Sequence, residues 1–212
     1  MRSRLTLSLL GMMAFVLVSM GGCALDKPTQ QEVQQVFTAF SNGTSQVTNG
    51  SSSTTLTGPP TWTYDYYFAL SNGGSITMVL NITSSDNLNN APTAGESGSV
   101  NGSITFTNYS DSSYTFNGTV NFTGGFTTSS ATNGDVLFNE TYDYTGSLTV
   151  SGSGVSSMTS DYSASLSIDT NTGAIVSGPT YSGTVTLNNK YTYNVNTLNT
   201  AAAIFNPLKV IR

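Results

Sequence analysis

A chain of 212 residues has length for one domain of ordinary size and would be cramped as two. Only 8% of its residues are charged and the formal charge is −5, a balance that repels nucleic-acid phosphates and argues against a nucleic-acid partner. Histidine is absent, which removes Ser/His/Asp catalysis, Cys/His catalysis and the commonest zinc and iron ligand together. Low charge alone is compatible with disorder, but 11 Tyr and 10 Phe supply enough apolar surface for the chain to fold. Ser, Thr, Asn and Gly dominate the remainder, so the surface is expected to be mostly hydroxyl and amide.

At the start, Arg2 and Arg4 precede an apolar stretch from Leu5 to Met20. That stretch is shorter than the ~20 residues a membrane-spanning helix needs and reads as the core of a signal peptide. It ends in Ser19-Met20-Gly21-Gly22-Cys23, which resembles the lipobox of bacterial lipoproteins, with two small residues before the cysteine and Met20 in place of the usual Leu. The resemblance covers only these first residues. It implies a leader of residues 1–22, cleavage before Cys23, and lipidation of Cys23 by a diacylglycerol and an amide-linked acyl chain, enough for stable anchoring. Ala24 follows where Asp often marks retention at the inner membrane, so the resemblance points to the outer membrane. The alternative is an uncleaved leader with an unmodified thiol. Cys23 is the only cysteine, so no disulfide forms within one molecule. Loss of the leader removes Arg2 and Arg4 and leaves 4 basic against 11 acidic residues, a net charge of −7.

Residues 23–60 read as an anchored tether containing one short N-terminal amphipathic helix and a Ser/Thr/Gly linker. Thr29-Gln30-Gln31-Glu32 has the form of a capping box. Val33, Val36, Phe37 and Phe40 then follow at helical spacing, predicting a helix from Thr29 to Phe40 that ends near Asn42-Gly43 and buries its stripe against a sheet. From Gly43 to Pro60 hardly an apolar residue occurs, which predicts a loop, with a small hairpin at Asn49-Gly50 as the other reading.

Residues 61–212 read as an antiparallel β-domain. Trp62, Tyr64, Tyr66, Phe68 and Leu70 alternate with smaller or polar residues, and Ser71-Asn72-Gly73-Gly74 turns into Ile76, Met78, Leu80 and Ile82, a strong hairpin signal. Further alternating runs lie at Val100–Phe106, Tyr114–Phe122, Val136–Val150, Tyr162–Ile168, Tyr181–Leu187 and Tyr191–Val195, eight or nine strands in all. A motif of Gly, hydroxyl, apolar, polar, apolar begins at Gly102, Gly118, Gly146 and Gly183 without a fixed period, and its glycines suit a bulge or sharp curvature. The expected fold is mainly β: an antiparallel meander curled into a barrel-like or strongly bent sheet, with the helix over an open end. The alternative is a β-sandwich.

Chemistry is scarce. A Ser-Lys nucleophile of SxxK spacing is missing, since Ala24, Leu187 and Asn206 precede Lys27, Lys190 and Lys209 by three. Parity along Val136, Phe138, Glu140, Tyr142 and Tyr144 puts Glu140 on the apolar face, where its pKa would rise; the favoured reading is that a bulge in so long a strand returns it to solvent. No second acid is matched to it. Asp169-Thr170-Asn171-Thr172-Gly173 resembles the start of a calcium loop but lacks the later ligands, and reads as a hairpin turn with Gly173 at positive φ. The stripe Trp62, Tyr64, Tyr66, Phe68 reads as core, with a sugar-stacking platform as the alternative.

The expected function is therefore a membrane-anchored outer-membrane lipoprotein of the bacterial envelope. No catalytic residue, no cofactor and no metal are expected. Its β-domain binds or scaffolds an envelope protein or a glycan, through an exposed aromatic or apolar patch. Two alternatives stand beside it. One is an integral transmembrane β-barrel, against which the ending Pro207–Arg212, without a terminal aromatic, counts. The other is a polysaccharide-acting enzyme using carboxylates alone.

Overall fold

The computed structural model describes residues 26–47, 51–55, 61–71, 73–84 and 91–198. Among these residues one α-helix, α1 (Gln30–Gln46), precedes nine strands. These are β1 (Ser51–Thr55), β2 (Thr61–Ala69), β3 (Ser75–Ser84), β4 (Ser97–Asp111), β5 (Tyr114–Ser130), β6 (Val136–Gly152), β7 (Val155–Asp169), β8 (Ile175–Leu187) and β9 (Tyr191–Asn194). They form one sheet in sequence order, every neighbouring pair antiparallel.

The meander is as expected, and its closure is not. Among the described residues no ladder joins β9 back to β1, so the sheet is not a closed barrel, and a single sheet replaces the two of a sandwich. The edge strands are too short to close it: β1 has five residues and β9 four, beside central strands of 17. The loop expected between Gly43 and Pro60 also needs correction, because Ser51–Thr55 pairs with Thr63–Tyr67 as strand β1. A run of Ser and Thr carries no apolar alternation, and its pairing rests on backbone hydrogen bonds. The Asn49-Gly50 turn lies outside the described residues.

The helix begins at Gln30, not at the start of the chain, and the capping box sets that point. Glu32 N donates to Thr29 Oγ1 at 3.2 Å, while Thr29 N and Oγ1 donate to Glu32 Oε2 at 2.7 and 2.8 Å. These bonds to its ionised form hold the Glu32 carboxyl below the usual range. The helix runs past Gly43 to Gln46, longer than predicted, because Gly43 is buried in the contact with Phe106 and Tyr109 of β4. α1 crosses the strands. Pro28, just before it, meets Tyr193 of β9; Phe37 meets Tyr162 of β7 and Tyr181 of β8; and Phe40 meets Phe106 of β4.

One face of the sheet and the apolar stripe of α1 form a single core. Trp62, Ile76, Met78, Leu80 and Ile82 are at most 1% exposed there, as are Phe106, Phe116 and Phe122 farther along the sheet. Rings on one strand lie over glycines of the next: a Cβ on Gly98 would sit 2.4 Å from the Phe126 ring, and one on Gly102 2.5 Å from the Phe122 ring. Gly146, at φ 152°, takes a backbone conformation that L residues rarely adopt, beside Val120. Glycine thus makes room on a crowded inner face.

The outer face is a lattice of hydroxyls and amides. In one register row Thr77, Thr105, Thr119, Ser147, Thr159, Thr186 and Thr192 run from β3 to β9. Within it Thr105–Thr119, Ser147–Thr159 and Thr186–Thr192 are hydrogen-bonded at 2.9, 2.9 and 3.0 Å. Cross-strand pairs of this kind each contribute about 0.2–1 kcal/mol and explain where the Ser and Thr excess goes.

Candidate functional site

Cys23 and the leader-like segment before it lie outside the described residues. Close behind them Pro28 is buried and its carbonyl accepts a 2.7 Å hydrogen bond from Tyr193 Oη, while Gln30 Nε2 donates to the Thr197 carbonyl at 3.4 Å.

Inside the domain the chemically distinctive group is Glu140. It stands opposite Phe126 of β5 and Leu166 of β7, and it is 2% exposed. The favoured expectation of a bulge is overturned. The β5–β6 ladder runs unbroken from Thr115/Ser151 to Ser130/Val136, so strict alternation carries Glu140 inward with Phe138 and Tyr142. Register shifts do occur near Phe106/Tyr109, at the Thr149/Gly152 end of β6 and around Ser165–Ile168 in the β7–β8 pair, but the pairings of β6 with β5 and β7 are continuous on both sides of Glu140.

Neither Glu140 carboxyl oxygen has a hydrogen-bond partner. Burial among apolar side chains raises its pKa from 4.5 to about 8, with no charged neighbour contributing. At neutral pH the group is therefore a protonated carboxylic acid, able to donate one hydrogen bond. The phenol of Tyr142, two residues on, is likewise buried without a partner, and burial followed by the nearby Glu140 carboxyl holds it well above the ordinary tyrosine range. Tyr144 is raised for the same two reasons, in the same order.

Sequence parity located Glu140 but not the aromatic chain that starts next to it. Tyr144 stacks on Tyr162 at 5.0 Å and 17°, and Tyr162 packs edge-on against Phe37 at 5.4 Å. Their positions in β6, β7 and α1 are far apart in the chain, so only register brings them together.

The other predicted sites resolve plainly. Trp62, Tyr64 and Tyr66 are 1, 6 and 6% exposed, so that stripe is core and offers no stacking platform. Asp169 forms a turn: its Oδ1 accepts from Asn171 N and Thr172 N at 2.8 and 3.1 Å, Gly173 has φ 69°, and β8 follows. Those bonds, to Thr172 first and then Asn171, lower the Asp169 pKa.

Among the described residues no group of three or more His, Cys, Asp or Glu gathers as a metal site would require. A shallow open depression lies on the outer face, where Gly125 leaves a gap among Ser97, Ser99, Thr127, Asn139 and Thr141. Among the described residues the large apolar side chains left exposed form two small groups. Tyr67 and Val79 are diagonal neighbours on the outer face of β2 and β3, and Ile175 and Val176 open β8. No family model, curated protein or solved structure matches this chain.

Proposed function

We propose that this chain is an exported bacterial lipoprotein, cleaved before Cys23, acylated there and held on the outer membrane. Its β-domain serves a non-catalytic binding or scaffolding role toward an envelope protein or glycan. The observation that carries this reading is the distribution of polarity across the sheet. The aromatic face is turned inward on α1, while the outer face presents rows of Ser, Thr and Asn. Strands embedded in lipid need the reverse, an apolar outer band. Membrane attachment must then come from a separate device, and Cys23 at the end of a leader-like segment is that device.

Two further features support the reading. The helix cap at Thr29 and the core described behind it are built from residues after Cys23, as a domain released by cleavage before Cys23 requires. Glu140, the one buried acid among the described residues, owes its raised pKa to burial alone, whereas a glycoside-cleaving site needs two acids facing one bond. The Tyr67/Val79 pair beside the hydroxyl lattice, and the open length of β8 beyond its pairing with β9, are the surfaces for a partner.

The test is expression of the full chain and of Cys23→Ala in a Gram-negative host, with envelope fractionation and intact mass. The expected result is a wild-type chain beginning at Cys23, carrying acyl mass and sedimenting with the outer membrane, and a variant that no longer partitions as acylated protein. An unmodified wild-type chain, or a leaderless Cys23→Ala domain that requires detergent to stay dispersed, overturns the proposal.

A further inference from the structure

The described residues begin at one defined place, and its composition is unlike the rest of the described surface. Pro28 is buried and bonded to Tyr193 of β9, and Gln30 is bonded to the Thr197 carbonyl in the 3-10 turn Val195–Thr197. From Cys23 to Pro28 is five residues, so even fully extended this segment reaches only ~18 Å. A domain hung from acyl chains at Cys23 has little freedom on so short a tether, which keeps the surface around Pro28 within that distance of the headgroups.

Lys27 and Lys190 are the only basic side chains among the described residues, and both are exposed. Lys27 precedes Pro28. Lys190 closes the β8–β9 turn with its Nζ 5.0 Å from the Tyr191 ring centre. Tyr191 and Tyr193 alternate to the same side of β9. Two acids share this rim, Asp26 and Glu32, and the Glu32 carboxyl is occupied by Thr29 in the helix cap. The rim is thus close to neutral. Elsewhere the described surface carries acids alone, such as Asp143 and Asp161 on the outer face and Asp135 beyond β5. Tyrosine and lysine favour the interfacial zone of a bilayer, while carboxylates are repelled by anionic headgroups within about a Debye length, ~8 Å.

We propose that β9, the β8–β9 turn and the 3-10 turn form a membrane-facing rim that seats on phospholipid headgroups and fixes the orientation of the domain. This rests on acylation of Cys23. The domain then stands on the membrane by its β9 side and turns the start of β4, with the segment Ala91–Glu96, away from the lipid.

The test uses the full-length, acylated protein in vesicles of phosphatidylethanolamine and phosphatidylglycerol carrying a headgroup-attached nitroxide quencher. In the acylated chain the Cys23 sulfur is consumed as a thioether, so a fluorophore on Asn196→Cys, beside Thr197, or on Ala94→Cys, an exposed turn position, labels one site only. Several-fold stronger quenching at 196 than at 94 is expected. Equal quenching at both sites, the result for a domain tumbling on a leash, or stronger quenching at 94, overturns the rim. Intact mass of the same samples separates the two claims: absence of the acyl mass overturns the lipoprotein reading and the rim with it, while acyl mass with equal quenching overturns the rim alone. Tyr193→Phe keeps the ring and removes the bond to Pro28, and the contrast between the two sites should shrink; an unchanged contrast overturns the pinning role of that bond.

Discussion

Glu140 faces Phe126 across the β5–β6 pair, and the only polar atoms it brings to that meeting are two carboxyl oxygens without partners. The acid is therefore kept neutral by the fold, and the fold is weakened by whatever tends to ionise it.

The first prediction concerns pH. The Glu140 pKa is raised on folding, from 4.5 to about 8. Its contribution is fully retained below the unfolded value, where both states are protonated. As pH climbs toward 8 the unfolded chain releases the proton and the folded one keeps it, so stability falls by about 1.4 kcal/mol per pH unit and then levels off. No histidine titrates in this window. Urea unfolding of the leaderless domain should show that decline between pH 5 and 8, and Glu140→Leu should flatten it and be the more stable protein at pH 8. A wild-type domain equally stable at both pH values sinks the assignment.

Tyr142→Phe deletes a buried hydroxyl that has no partner and leaves the ring in place. Removing an unmatched polar group from a core avoids its desolvation cost, so a gain of about 1 kcal/mol is expected in thermal or urea unfolding. A loss of that size instead would mean that the phenol is hydrogen-bonded.

Gly43→Ala sets helix propensity against packing. Alanine favours the helix by about 1 kcal/mol, but the added methyl meets rings that are 1% exposed and have nowhere to move, at a cost of about 1–3 kcal/mol. The contacts are Cε1 of Phe106 and of Tyr109, each at 2.8 Å from the new carbon. Net destabilisation is expected from the unfolding midpoint, and a stabilised variant would show that α1 stands off from β4.

Thr29→Ala removes the oxygen that accepts from Glu32 N and should lower stability by about 1 kcal/mol. The Glu32 carboxyl loses the hydroxyl that donates to it, so its depressed pKa should move back toward the ordinary value. Carboxyl carbon shifts in an NMR titration of Glu32 check that change, and an unmoved pKa would assign the depression to the backbone bond alone.

Local signals read well where they repeat. Thr29 and Glu32 placed the start of α1 and Asn72-Gly73 placed the β2–β3 hairpin, because capping and turn chemistry depend on residues a few positions apart; alternation along β6 pointed Glu140 inward, but the bulge preferred over it was wrong. They failed where a neighbour in space decided. Gly43 looked like a helix end and became a contact, and Ser51–Thr55 had no pattern and became an edge strand because β2 offered it a ladder.

From the amino-acid order alone came the mainly β meander, the amphipathic helix, the Ser/Thr/Asn-rich surface and the leader-like segment ending at Cys23, since each is written in short-range periodicity or composition. Tertiary structure decided that the sheet stays open, that the Trp62, Tyr64 and Tyr66 stripe is core, and that Glu140 is sealed inside without a partner. It also decided that the entry of the chain is pinned to β9. Those outcomes follow from which strands have length to pair and which rings meet across them, and register between distant segments sets both.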